Sequence, residues 1–250
     1  MRQAITKFLR GDYNSVRYRF LILPRQWLHY FFAYRLFGKD WTEFYADRMN
    51  DEVAKGGGHR PSERYLDAGQ RHLDFLSQHG LQPHHSMLDY GCGVLRTGRY
   101  AIPYLTDGKY VGVDIADARI DKGRGLLAED GVAPETYEAF VVSSCELREL
   151  DGYSFDFIWA ESVLTHMPLP EIRTMLRAMQ AHFAEGGQFF FTYSESDEYT
   201  RRNVKDFWYP GETMASECRA AGYQFELIEL PDSGYTRMAR LTLPNGGGAN

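Results

Sequence analysis

Cysteine is scarce in this chain of 250 residues: there are three, at positions 92, 145 and 218. None forms a Cys-x-x-Cys pair or a Cys/His metal spacing. An odd, sparse set excludes a disulfide framework or a zinc site and fits a reducing, cytoplasmic setting. Long apolar runs are also missing. The longest early one, Phe20-Leu21-Ile22-Leu23, stops at Pro24. It is too short for a signal core or a membrane span. A general cationic excess is absent too. The net charge of −6 argues against nucleic-acid binding by the whole chain.

The material for a globular domain is present. Hydrophobic residues make up 44% and charged residues 25%, enough for a sizeable core. Charge is unevenly spread. Residues 1–39 hold eight Lys/Arg against Asp12 alone, a local +7 that leaves −13 for the remainder. The same stretch is rich in aromatics, most densely in Trp27–Phe37.

The pattern predicts an N-terminal helical extension over residues 1–60 and one main domain over 61–245. A helix over Trp27–Phe37 stops at Gly38, and a short one runs from Trp41 to Arg48. Gly56-Gly57-Gly58 predicts a flexible break. Pro61 opens a helix through Gln78. Strands and helices then alternate. Strands are predicted over Ser86–Tyr90, Tyr110–Ile115, Ala139–Val142, Phe155–Ala160 and Gln188–Tyr193. Helices are predicted over Leu95–Leu105, Asp117–Glu129, Pro170–Phe183 and Glu212–Ala221. Two last strands, Phe225–Leu230 and Met238–Leu243, flank the turn Pro231-Asp232-Ser233-Gly234. Alternation of this kind demands an α/β fold with a mainly parallel sheet, and the final pair must run antiparallel.

Leu88-Asp89-Tyr90-Gly91-Cys92-Gly93 is a strand running into a glycine turn. Val111-Gly112-Val113-Asp114 ends a second strand in an acid, 25 residues after Asp89. Nucleotide-type ligands bind at such turns, and the second acid suits ribose hydroxyls. The dinucleotide fingerprint is incomplete, because Arg96 stands where Gly-x-Gly-x-x-Gly needs its last glycine. Asp89 would also repel a pyrophosphate lying on the turn. It suits a ligand with a cationic end, such as an α-amino group or a sulfonium.

These segments, with Phe155-Asp156-Phe157-Ile158-Trp159-Ala160, resemble the first, second and fourth motifs of class I S-adenosylmethionine-dependent methyltransferases. The resemblance covers roughly residues 62–243. It implies a Rossmann-like, seven-stranded, mostly parallel sheet with a terminal antiparallel strand, and S-adenosyl-L-methionine as cofactor. It places Asp89 near the methionine amino group and the backbone of Tyr90, Gly91, Cys92 and Gly93 close to the cofactor. Asp114 would take the ribose hydroxyls, with Ile115, Ser144 and Cys145 around the adenine. Ala160 and Glu161 would face the methionine end. Two positions depart from the family pattern. Leu95 stands at the usual third glycine of the first motif, and Ser144 where many members carry an acid, a role Glu146 is placed to supply.

Methyl transfer from an activated donor needs alignment above all, and a base only where the acceptor loses a proton. His166, in Ser162-Val163-Leu164-Thr165-His166-Met167-Pro168, is the candidate base; the competing reading is that it packs the following helix. Glu161 reads as a cofactor-side or substrate-orienting acid. No second and third carboxylate cluster with it, so a metal site is not predicted. Arg96 reads either as a contact to an anionic group or as a salt bridge. The stretch 194–211, with Tyr199, Arg201, Arg202, Phe207, Trp208 and Tyr209, predicts a functional loop over the acceptor pocket.

The sequence thus points to an enzyme that methylates a small-molecule acceptor. The style of Gly-Cys-Gly-x-x-Arg resembles bacterial methyltransferases of glycan and natural-product pathways, which implies a sugar, glycan or secondary-metabolite hydroxyl. N- or C-methyl transfer, a non-catalytic module that keeps the fold, and a nicotinamide-dependent oxidoreductase are the competing classes. For residues 1–39 the readings are packing on the main domain, a lid, a homodimer surface or a peripheral membrane contact.

Overall fold

The computed structural model describes residues 23–32, 38, 40–56, 61–229 and 234–244. The predicted breaks around Gly57-Gly58 and Pro231-Asp232-Ser233 lie outside the described residues, as does most of the basic segment. A seven-stranded sheet is formed by β1 (Ser86–Tyr90), β2 (Lys109–Asp114), β3 (Glu138–Val141), β4 (Phe155–Ala160), β5 (Phe183–Ser194), β8 (Gln224–Ile228) and β9 (Thr236–Thr242). Their order is β3-β2-β1-β4-β5-β9-β8. Strands β1 to β5 pair parallel, and β9 runs antiparallel to both β5 and β8. The parallel sheet with an antiparallel ending matches the pattern read from the sequence.

Strand alternation divides the core in two. In β1, Leu88 and Tyr90 face one side while Met87 faces the other; in β4, Ile158 and Ala160 oppose Phe157 and Trp159. Both faces are covered, which is why these strands read as near-continuous apolar runs. On one side Leu73 and Leu76 of α4 (Ala68–Gln78), Ile102 of α5 (Gly98–Tyr104) and Ile120 of α6 (Asp117–Glu129) complete the core. On the other lie Ile172 and Met175 of α7 (Leu169–Met179) and Met214 of α8 (Gly211–Ala220). Helix α2 (Trp41–Lys55) joins this second side through Trp41 and Phe44. A reciprocal capping box fixes its start: Glu43 N–H donates to Asp40 Oδ1 at 2.8 Å, and Asp40 N–H to Glu43 Oε2 at 3.2 Å. Ahead of it, α1 spans Leu23–Tyr30.

Helix α2 runs seven residues past the expected end at Arg48, and α1 begins at Leu23 rather than Trp27. Four further elements differ from expectation. The predicted helix from Pro61 is two pieces, α3 (Glu63–Leu66) and α4, meeting at Asp67. The predicted helix from Leu95 starts only at Gly98, because Leu95 has φ +56°. Strand β5 begins five residues early: Phe183 pairs with Phe155 before a bulge, and Gln188 then pairs with Phe157. The stretch after β5 carries a short hairpin, β6 (Thr200–Arg201) and β7 (Phe207–Trp208). Among the described residues no helix is long and apolar enough to cross a membrane.

Candidate functional site

The strand order reverses between β1 and β4, and a crevice forms there at the carboxyl ends of the strands. A cavity of about 290 Å³ occupies it. Asp89, Tyr90, Gly91, Cys92, Gly93, Asp114, Ile115, Cys145, Glu161 and His166 all line it. Ser144 and Ala160 do not: Ala160 is fully buried in the core, and the Ser144 hydroxyl accepts the Glu146 N–H at 3.2 Å. Glu146 itself is exposed and pairs with Arg148.

The glycine turn is built by backbone bonds. Gly91 and Cys92 donate to the Val113 carbonyl at 2.7 and 3.0 Å, and Gly93 N–H donates to Asp114 Oδ2 at 2.8 Å. Gly91 and Gly93 have φ of +77° and +55°. A Cβ at Gly91 would collide with Val163, and one at Gly93 would sit 3.0 Å from the Arg119 guanidinium. Leu95 completes the turn in the left-handed conformation that glycine adopts freely. Its buried side chain fills room left by two glycines. A Cβ at Gly112 would lie 3.0 Å from Leu95 Cδ2, and one at Gly123 would lie 2.9 Å from Leu95 Cγ.

Two carboxylates flank this turn. Asp114 also accepts the Ala116 N–H at 2.9 Å, so each of its oxygens takes a bond from a backbone N–H. Burial pushes its pKa up, against the opposing pull of Arg119 and the backbone donors. Asp89 is buried, takes a 2.6 Å bond from the Tyr110 hydroxyl, and is pushed up to about 7 by burial. The Tyr110 bond and, less, Arg96 hold it down only in part. Arg96 pairs with Glu161 and lies 4.3 Å over the Tyr65 ring. Arg99 instead makes an outer ion pair with Asp130 at 2.7 Å.

His166 stands at another part of the cavity wall. Its Nδ1 is 3.1 Å from the Lys205 carbonyl and 3.1 Å from Asp206 Oδ1. Both partners only accept, so in the neutral ring it is Nδ1 that carries the proton and Nε2 that holds the lone pair. The backbone is tied as well: Trp41 Nε1 donates to the His166 carbonyl at 3.0 Å. Asp206 is held by the Asn203 side chain, whose Oδ1 accepts the N–H groups of Lys205 and Asp206. Burial works to raise the Asp206 pKa, but bonds from His166 and Asn203 outweigh it and hold it low.

Two sets of residues escaped the sequence reading. Trp41, Tyr45, Met49 and Glu52 of α2 line the cavity; the spacing of the first three, at 41, 45 and 49, was the available signal. Tyr45 stacks on Trp41 at 5.8 Å and meets the His166 ring at 5.6 Å. Asp206 gave no signal of its own. Conversely, the aromatic and arginine residues expected over the acceptor are not on the cavity wall. Arg202 stacks on Trp208 at 3.4 Å, and the Tyr209 hydroxyl donates to the Met167 carbonyl at 2.6 Å. From this stretch Lys205 lines the cavity instead.

Residues 88–189 match the family model of a methyltransferase domain. Solved structures share the fold. DhpI in complex with SAH superposes with a TM-score of 0.57 at 13% identity, covering 82% of this chain and 95% of that one. The magnesium protoporphyrin IX methyltransferase of Synechocystis, with bound SAH, gives 0.59 at 13% identity, covering 82% and 100%. The glycopeptide N-methyltransferase MtfA gives 0.54 at 14% identity, covering 72% and 92%.

Proposed function

We propose that this chain, which carries a methyltransferase domain on the class I, S-adenosylmethionine-dependent fold, methylates a hydroxyl of a small molecule, a sugar or secondary metabolite. The observation that carries this reading is one cavity holding a left-handed glycine turn, a buried carboxylate on each side of it, and an oriented histidine.

The residues present fit S-adenosyl-L-methionine. Asp114, a carboxylate on the cavity wall at the end of β2, would accept from the ribose hydroxyls. Asp89 is a buried acid whose charge lacks full compensation, and an ammonium would supply it. Ile115 and Cys145 offer apolar walls to an adenine, and the Arg96–Glu161 pair offers polar partners to the methionine end. The neighbours with bound SAH share this fold. When bound, the cofactor supplies an electrophilic methyl group.

His166 then acts as general base. With donor and acceptor bound, Nε2 would take the acceptor's hydroxyl proton, the thioether of the spent donor being the leaving group. Asp206 and the Lys205 carbonyl hold the ring and stabilise the imidazolium. Helix α2 walls the cavity with Trp41 and Tyr45.

Thermal-shift and calorimetric titration with S-adenosylhomocysteine and NADH test the donor. The expected result is binding of S-adenosylhomocysteine alone, lost in Asp89→Ala. Binding of NADH alone would overturn the reading.

A further inference from the structure

Helix α1 presents two unlike sides. Inward, the Tyr30 ring meets Trp41 at 6.0 Å and Phe44 at 5.2 Å. The Arg201 guanidinium lies 4.5 Å from the Tyr30 ring centre, 4.7 Å from Trp27, 4.8 Å from Phe207 and 5.3 Å from Trp41. One cation among four aromatic faces fastens α1 to the β6–β7 hairpin. Outward, Leu28 is 56% exposed, and Phe31 and Phe32, in the π-helical turn that continues α1, are 52% and 43% exposed. Their spacing of three and four residues gathers them on one side. Among the described residues nothing covers them, and clustered exposed apolar side chains mark a contact surface.

We infer that this side of α1 docks on an anionic lipid surface. The charge chooses the occupant. The segment around α1, residues 1–39, carries +7 while the rest of the chain carries −13. Cations draw such a segment to anionic headgroups, and aromatic side chains settle at headgroup depth. A second copy of the chain fits less well, because it would bring the same net cationic sequence rather than a complementary charge. The attachment also has a chemical consequence. Helix α1 leans on Trp41, which lines the cavity, and on the hairpin that carries Lys205 and Asp206. The acceptor class this favours is a hydroxyl compound with an apolar tail, presented at the lipid surface. That last step rests on the proposed methyl transfer; the docking itself does not.

Co-sedimentation of the full chain tests it, with vesicles of phosphatidylcholine alone and of phosphatidylcholine mixed with phosphatidylglycerol. Binding is expected to the mixed vesicles only, weakened on the order of tenfold by high salt. Leu28→Ser/Phe31→Ser/Phe32→Ser should lose binding by roughly tenfold per side chain removed. The same variant should keep the thermal shift with S-adenosylhomocysteine, which reports an intact fold. Equal binding to both vesicles, no binding, or unchanged binding by the variant would overturn the inference. So would a solution dimer that the variant converts to monomer. Loss of the S-adenosylhomocysteine shift in the unmodified chain would sink the methyl-donor reading while leaving the docking test intact.

Discussion

The Nδ1 atom of His166 lies 3.1 Å from Asp206 Oδ1, joining the end of β4 to a hairpin forty residues on in sequence. This contact fixes which nitrogen of the ring is free. His166→Ala should lower kcat by about 10²-fold or more, with cofactor affinity nearly unchanged. Asp206→Asn should cost less, on the order of tenfold, because the Lys205 carbonyl still accepts from Nδ1. Steady-state kinetics beside a calorimetric titration separates the two effects. Equal turnover in all three proteins would remove His166 from the base role.

On the proposed reading, Asp89 would couple cofactor binding to pH. Burial pushes it up to about 7, so below neutrality it is largely protonated and offers no charge to an ammonium. Affinity for S-adenosylhomocysteine should therefore rise with pH through about 7 and then level off, with proton release on binding in the lower range. Stability of the free protein runs the other way. The folded form holds its Asp89 proton from about pH 4, where the unfolded chain loses it, up to about 7. Across that window this group's contribution falls as pH rises. Calorimetry in buffers of different ionisation enthalpy, repeated on Asp89→Asn, should show the proton linkage vanish.

Leu95→Gly is expected to destabilise, although it restores the family's usual residue. Releasing a left-handed φ recovers about 1–2 kcal/mol. Emptying a buried leucine site costs about 2–5 kcal/mol. The second term is larger, so the midpoint of urea unfolding should move down.

Arg201→Ala removes a cation packed among four rings and two bonds to the Val204 carbonyl. A loss of about 1–2 kcal/mol is expected. That corresponds to a Tm drop of roughly 2–8 °C in a chain of this size. Because the same hairpin carries Asp206, kcat should fall with Tm. Arg201→Lys should restore charge without restoring either, since the planar face is what stacks.

The part of the cavity wall around the glycine turn was legible because it is local. Asp89, the glycine turn and Asp114 follow from two strand ends and the turn between them, and strand periodicity puts them there. The β4 end was legible in part: Glu161 and His166 reach the cavity, while Ala160 faces the core. The acceptor side is set by packing between distant segments. Asp206 reaches His166 only because the Asn203 side chain closes a tight turn within the hairpin, and residues 200–208 carry no periodicity that announces it. The same holds for Arg201, whose four aromatic neighbours come from α1, α2 and β7.

Leu95, Gly112 and Gly123 occupy a shared volume, and that constrains how this sequence is free to drift. Alanine at Gly112 presses on the leucine and on Cys92 Sγ, at 3.0 and 3.1 Å. A smaller residue at 95 relieves the first of these contacts. Gly123 is stricter, since a Cβ there would also come within 2.6 Å of the Val94 backbone. Substitutions at 95 and 112 are therefore epistatic: each harms alone, and a smaller residue at 95 opens room that an alanine at 112 fills. A lineage holding leucine at 95 retains glycine at 112 for reasons of volume, and a double-mutant cycle over the pair would measure that memory directly.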